Sequence, residues 1–217
     1  LERAGIRISK VANLDATERS SLSAYFRDQV LPALTPLAND ESRPFPLLAS
    51  LSWNVALRLQ PAADGEAPRL AIVQIPSRLP RFVRVPGDGV TFVLLGDLIQ
   101  SHFDALFPGQ TVLESAVVRL SRDSELELDD EGGLPYLLAV EEELRQRRRN
   151  DVVRLEIEAS ASADLLDRMM TEADVTMDDV YLVRGMLDVR VLMGLLDLPG
   201  FDDLRDKPLK PVPVFDD

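Results

Sequence analysis

No cysteine occurs among the 217 residues, so disulfides, thiolate nucleophiles and zinc sites built on cysteine are excluded. The single histidine, His102, leaves no basis for a metal site with several histidine ligands. No stretch approaches the ~20 apolar residues of a membrane-crossing helix, and the first residues lack the pattern of a secretory signal. We therefore expect a cytoplasmic protein. The missing initiator Met leads us to expect a piece of a longer chain.

Basic residues are scarce: the chain has 24 Lys and Arg but 37 Asp and Glu, which gives a net charge of −13. Such a charge repels polyanions and anionic membranes, so we expect no nucleic-acid partner. Against this background "QIPSRLPRFVRVPG" places Arg78, Arg81 and Arg84 three residues apart between prolines. These arginines could hold phosphate, bind nucleic acid or cover the end of a strand.

Hydrophobic periodicity predicts an α+β fold with a mixed or antiparallel sheet and helices packed on it. A helix begins at Asp15, with Glu18 in a capping-box position and an apolar face of Leu22, Tyr25, Phe26, Gln29 and Val30. "TPLANDESRPFP" reads as a loop. "LSWNVALRLQ" alternates as a half-buried strand, and "RLAIVQI" follows as its hairpin partner.

Later segments continue this alternation of strands and helices. "TFVLLGDLIQSHFDALFPG" predicts a strand followed by one helix from about Gly96, and "TVLESAVVRLSRDSELEL" is extended. "GLPYLLAVEEELRQRRRN" predicts a helix that ends in bases, which suit its dipole and can pair with the preceding glutamates. A strand, a helix and a strand then follow in "VVRLEIEA", "SADLLDRMMTEA" and "DDVYLVRG". "DVRVLMGLLDL" is the last predicted helix.

The acidic run "SRDSELELDDE" has carboxylates at alternate positions, from Asp123 through Glu125 and Glu127 to Asp129. On an extended strand these carboxylates would stand ~7 Å apart, which is wide for one ion. A solvated strand face leading into a helix cap is therefore favoured over a metal-dependent module. His102 lies on an apolar helix without an orienting partner and is interpreted as structural. No phosphate-binding glycine motif or nucleophile motif is present.

Several stretches in order resemble the bacterial polyphosphate kinases over nearly the whole chain. They are "YFRDQVLPALTPLA", "RPFPLLASLSWNVAL", "IPSRLPRFVR", "LGDLIQSHFDALFPG", "RLSRDSELELDDE", "EEELRQRRR", "VRLEIEAS" and "DDVYLVRGMLD". The resemblance implies an enzyme that reversibly transfers the terminal phosphate of ATP to polyphosphate with magnesium, through a phosphorylated histidine. It places this chain in the head domain, which has been likened to the phox-homology fold.

The resemblance also predicts the domain borders and the partners. Residues 1–14 would end a preceding region, 15–204 would form the head domain, and 205–217 would link to catalytic domains carrying the histidine. No catalytic, cofactor or metal residue is therefore assigned here, and the fragment alone is expected to be inactive. The implied partners are other domains of the same polypeptide and further copies in a homo-oligomer. As part of the full enzyme, the chain is also expected to associate with a membrane.

The prolines indicate that the arginine loop is extended, with Phe82, Val83 and Val85 as apolar anchors. Our first hypothesis is that Arg78, Arg81 and Arg84 pair with carboxylates of a neighbouring domain or subunit. The alternative is that they line an approach for ATP or polyphosphate. Arg122 is a further candidate for phosphate or interface contact.

Overall fold

The computed structural model describes residues 1–34, 36–38, 45–61, 67–87, 89–123 and 151–206. The predicted helix over 133–150 and the acidic residues after Asp123 lie outside the described residues. The chain divides into two units, Leu1–Leu187 and Asp188–Asp217. In the described part no helix is long and apolar enough to cross a membrane.

The first unit contains two β-sheets, both with mixed pairing. The smaller sheet has the order β1-β6-β5, with β1 parallel to β6, and consists of β1 (Ile6–Ser9), β5 (Phe82–Val85) and β6 (Val90–Leu94). The larger sheet has the order β2-β4-β3-β7-β8-β9 and is antiparallel except for β8 and β9. Its strands are β2 (Pro36–Ala38), β3 (Trp53–Leu59), β4 (Arg69–Gln74), β7 (Val112–Arg122), β8 (Val152–Glu158) and β9 (Val180–Val183). The predicted α+β class is confirmed.

The first helix, α1 (Ala16–Tyr25), begins with the predicted capping box. The Asp15 carboxylate accepts the Glu18 N–H at 2.8 Å, and the Glu18 carboxylate accepts the Asp15 N–H at 3.0 Å. The helix continues as a π-helical turn over Phe26–Val30 and a 3-10 turn over Leu31–Ala33. Gln29 was predicted on the apolar face but is exposed. A π-helical turn has more residues per turn than an α-helix, so Val30, four residues after Phe26, lies on the buried face and Gln29 does not.

One helix was predicted after β6, but two short helices follow, α2 (Leu95–Gln100) and α3 (Phe103–Leu106). The helix is broken at Ser101, whose hydroxyl donates to the Leu98 carbonyl at 2.8 Å. α2 starts in close contact with the larger sheet. A Cβ at Gly96 would stand 3.1 Å from Val117 Cγ2, so only glycine fits there without displacing a neighbour.

The larger sheet is buried on both faces, which corrects the prediction that β3 is half-buried. One face packs on α1, α2 and the smaller sheet, with Val55, Leu57 and Leu59 of β3 in this first core. The other face forms a second core in which Ala56 packs with residues of α4 (Ala163–Ala173). Two covered faces give the three-layer arrangement that lets a sheet bury all its apolar residues.

Three strands were not predicted. β2 lies in the predicted loop "TPLANDESRPFP", where a proline as the first residue of an edge strand is tolerated. β5 lies in the predicted arginine loop and carries Arg84, and β1 is a four-residue strand near the start of the chain.

The second unit is described from Asp188 to Asp206 and is built of 3-10 turns. The predicted last helix is a 3-10 helix over Val189–Leu195, and a shorter 3-10 turn follows at Asp202–Leu204. The Asp188 carboxylate accepts the Arg190 N–H at 3.0 Å and pairs with its guanidinium at 2.7 Å. The predicted domain borders at 14 and 204 remain predictions.

Candidate functional site

A cavity of about 600 Å³ in the first unit lies where β1, β8 and β9 end and α2 begins. This volume is in the range of small-molecule and peptide pockets. Its wall is mostly apolar and is formed by Ile8, Trp53, Leu94, Val117, Val183 and Leu187. We call it the Trp53 cavity, because Trp53 is the one tryptophan of the chain.

Two acidic and two basic side chains line the Trp53 cavity. Asp97 Oδ2 accepts the Val11 N–H at 2.6 Å, and Asp97 Oδ1 lies 3.8 Å from Lys10 Nζ. Glu158 Oε2 accepts the Val117 N–H at 2.9 Å, and no described residue binds its other oxygen. Arg184 is exposed and makes no hydrogen bond or ion pair with any residue that the structure describes. One oxygen of Glu158 and the guanidinium of Arg184 are therefore available to bind a ligand or partner.

Trp53 connects the cavity with the arginine loop. The guanidinium carbon of Arg81 lies 5.3 Å from the indole centroid, and that of Arg119 lies 5.9 Å from it. The loop begins directly after Ile75, whose N–H donates to the Trp53 carbonyl at 2.8 Å. Cation–π contacts of this kind hold a guanidinium at a fixed position.

A row of side chains continues from Trp53 across the larger sheet. Trp53 stands opposite Arg119, Arg119 opposite Glu156, and Glu156 opposite Tyr181, so β3, β7, β8 and β9 each contribute one residue. Arg119 and Glu156 form a buried ion pair, and Arg154 Nη2 reaches the other Glu156 oxygen at 2.9 Å. The Arg154 guanidinium also covers the Tyr181 ring at 3.7 Å. The row thus fixes the edge strand β9 to the interior of the sheet.

Burial and the two neighbouring arginines act on the pKa of Glu156 in opposite directions. Burial alone would raise the pKa of the carboxyl, but hydrogen bonds and charges from Arg119 and Arg154 lower it below its usual range. The carboxylate is therefore ionised in the folded protein at neutral pH.

The three predicted loop arginines have different environments. Arg78 and Arg84 are exposed and make no hydrogen bond or ion pair with a described residue. Arg81 is half-buried, and its Nη1 donates to the Pro76 carbonyl at 3.4 Å. Leu79 packs against the first core, and Val83 and Val85 are buried in it. The loop is therefore held on the domain by apolar residues, and two of its cations point to solvent.

Arg122 is not brought to the same place as Arg81. Its Nε donates to the Leu48 carbonyl at 3.0 Å, and Leu48 belongs to the second core, whereas Trp53 packs against the first. Burial lowers the pKa of Arg122, and the charge of Asp151 opposes that shift. Arg122 thus holds the segment before β3 against the end of β7.

The acidic run is described only at Asp123, whose N–H donates to the Asp151 carbonyl at 2.9 Å. Its other members lie outside the described residues, so the metal hypothesis at this run stays open. Elsewhere in the described ranges no group of three or more acidic or histidine side chains could hold a metal ion.

His102 has contacts on both ring nitrogens and on its face. Nδ1 lies 3.0 Å from the Leu98 carbonyl oxygen and 2.9 Å from Ser101 Oγ, and Nε2 lies 3.0 Å from Ser23 Oγ. The imidazole is stacked on Phe26, with centroids 4.3 Å apart. These contacts join α1 to α2, as expected of a structural histidine.

Sequence reasoning missed Trp53, Glu158 and Arg184 as site residues. Trp53 was read only as an inward residue of a strand, and the other two belong to no motif. The signal that unites them is the strand register and the common end of β8 and β9, which a single sequence does not reveal.

Comparison with known proteins gives one consistent family. The family model described as the polyphosphate kinase middle domain matches residues 17–195. A polyphosphate kinase of Mycolicibacterium gilvum is 36% identical over 214 residues, covering 95% of this chain and 29% of the relative. A polyphosphate kinase of Exiguobacterium sibiricum is 37% identical over 218 residues, covering 98% and 30%. The chain thus spans about 30% of the length of these relatives.

A solved structure has the same fold. The crystal structure of a polyphosphate kinase from Porphyromonas gingivalis matches with a TM-score of 0.72 and 24% sequence identity. The match covers 99% of this chain and 30% of that one. At this identity the match supports the fold alone.

Proposed function

This chain belongs to the polyphosphate kinase family, and from that premise we propose that it is a non-catalytic domain of a phosphotransferase. The complete enzyme would transfer the terminal phosphate of ATP to inorganic polyphosphate, reversibly, through a phosphorylated histidine. The domain would serve contacts with other domains of the same polypeptide and with further copies in a homo-oligomer.

The observation that carries this proposal is the environment of His102. A histidine that accepts phosphate needs a ring nitrogen directed at the donor. Here Nδ1 lies within hydrogen-bond distance of the Leu98 carbonyl oxygen, Nε2 lies within hydrogen-bond distance of Ser23 Oγ, and Phe26 covers the ring face. Phosphorylation at either nitrogen would break a contact that joins α1 to α2. The environment of the chain's sole histidine therefore supports a structural role.

The lining of the Trp53 cavity supports a site for ATP and magnesium outside this chain. The charged residues of the Trp53 cavity are two acids and two bases, which is not the cationic surface that a triphosphate needs. ATP and magnesium would bind elsewhere in the longer polypeptide.

The arginine loop is proposed as part of the contact surface. Arg78, before β5, and Arg84, on β5, are exposed, while Leu79, Val83 and Val85 pack in or against the first core. Carboxylates of a neighbouring domain or subunit would pair with them. The alternative, an approach for ATP or polyphosphate, is less favoured because the rest of the chain is strongly acidic.

The test uses a full-length polyphosphate kinase that carries this chain, with Arg78, Arg81 and Arg84 all changed to Ala. The contact role predicts a changed oligomer mass by light scattering, with the affinity for polyphosphate unchanged. The control changes Arg3, Arg27 and Arg168, three arginines exposed elsewhere on the chain, to Ala and should leave the mass unchanged. A weaker affinity for polyphosphate at constant mass would overturn the contact role in favour of the alternative.

A further inference from the structure

We propose that the Trp53 cavity is the seat of a segment from another domain of the same polypeptide, one with apolar side chains and a carboxylate. This inference rests on the proposed function and names the surface and the occupant. The relatives are about three times as long as this chain, since it covers 29% and 30% of them. Most of the polypeptide is therefore available to fill the cavity.

The wall of the cavity selects an apolar occupant. Trp53, Val117 and Leu187 belong to the first core or pack against it, so the cavity extends the core to the surface. Its volume of about 600 Å³ exceeds that of any single side chain. Filling it with apolar side chains from a covalently attached domain would remove apolar area from water, which stabilises the contact.

The charges at the rim define the polar part of the occupant. Asp97 and Lys10 already pair with each other or with the backbone. Arg184 has no partner among the residues described and is exposed, so a carboxylate of the incoming segment would complement it. Glu158 retains one oxygen that can accept an N–H from the same segment. A cation pairing with a carboxylate at the rim of an apolar contact fixes its register.

The absence of cysteine makes this proposal testable by thiol labelling. Ser160 is exposed and lines the cavity, so Ser160→Cys reports its accessibility. Ser20→Cys, exposed on α1 and not part of the cavity wall, is the matched control. Each variant is given a short maleimide pulse, in this chain alone and in a full-length polyphosphate kinase that carries it. Labelling at the introduced cysteine is counted by peptide mass spectrometry.

The proposal predicts that Ser160→Cys reacts on the order of tenfold more slowly in the full-length protein, because the contact must open before the thiol is reached. Ser20→Cys should react equally in both. Adding Arg184→Glu to the full-length protein should restore labelling at position 160, although a nearby negative charge by itself slows thiolate formation. The same pair of substitutions in the chain alone supplies that baseline.

Equal labelling of Ser160→Cys in both proteins would overturn the proposal. Protection in the chain alone that grows with its concentration would also overturn it and identify a second copy as the occupant. In either case a mass change in the variant with all three loop arginines replaced would still support the proposed contact role. Failure of the cavity proposal is therefore distinguishable from failure of the proposed function.

Discussion

Trp53 and Arg119 stand directly opposite each other on β3 and β7, and the Arg119 guanidinium carbon lies 5.9 Å from the indole centroid. The same guanidinium forms a buried ion pair with Glu156 on the next strand. One arginine thus joins the wall of the Trp53 cavity to the β8–β9 edge of the sheet.

Replacing Arg119 by Ala should lower the free energy of unfolding by about 3 kcal/mol, because the buried Glu156 carboxylate loses its closest cation. The control is Arg168→Ala. Arg168 pairs with Glu172 at 2.9 Å on the surface of α4, and its loss should cost about 0.5 kcal/mol or less. Urea unfolding of both variants measures the difference. Equal costs for the two would contradict a dominant role of the buried pair.

The pH dependence of stability should report Glu156. Its pKa is lowered in the folded protein from an ordinary value of 4.5. The ionised carboxylate therefore contributes stability that is fully present above pH 4.5 and is lost as the pH falls through the folded pKa. Glu156→Gln should flatten the fall of the unfolding free energy below pH 4.5, and Glu2→Gln, at an exposed carboxylate, serves as the control. An unchanged slope in Glu156→Gln would show that other groups dominate the acid response.

The capping box of α1 should contribute measurably to stability. Asp15→Ala removes the acceptor of the Glu18 N–H and should cost about 1 kcal/mol of unfolding free energy. Asp28→Ala changes an exposed aspartate of the same helical segment that caps nothing, and its effect should be much smaller. Thermal unfolding of the two variants gives the comparison. Equal losses would show that charge alone, rather than the cap, is responsible.

Divalent ions should leave the melting temperature of this chain unchanged. A site formed by the acidic run from Asp123 to Asp129 would bind the folded state and raise the melting temperature with ion concentration. Melting in magnesium, in calcium and in a chelator tests this expectation. A rise that disappears in Asp123→Asn would favour the metal-dependent module instead.

Local sequence signals predicted many of the helices and strands, but they could not predict which distant strands pair or in which register. Asp15 and Glu18 are three residues apart, so the capping box could be predicted from spacing alone. β3 was predicted to be half-buried from its alternation, and only the packing of α4 around Ala56 shows that its second face is buried. The Trp53 row depends on the register of four strands, which is set by contacts far apart in the sequence.

The short strands show a second reason for missed elements. Arg84 alternates with buried Val83 and Val85 on β5, but the surrounding prolines and arginines favoured a loop. β2 is a strand because its three residues pair with β4, although its local sequence does not predict a strand. Such strands are stabilised by their neighbours, since intrinsic β-propensity depends strongly on context.

The most direct test of the account is to incubate this chain with γ-labelled ATP, magnesium and a short polyphosphate primer. A full-length polyphosphate kinase is the positive control. The account predicts neither lengthened polyphosphate nor acid-labile label on this chain. Label that appears and is lost in His102→Ala would contradict the account and show that the histidine stacked on Phe26 accepts phosphate.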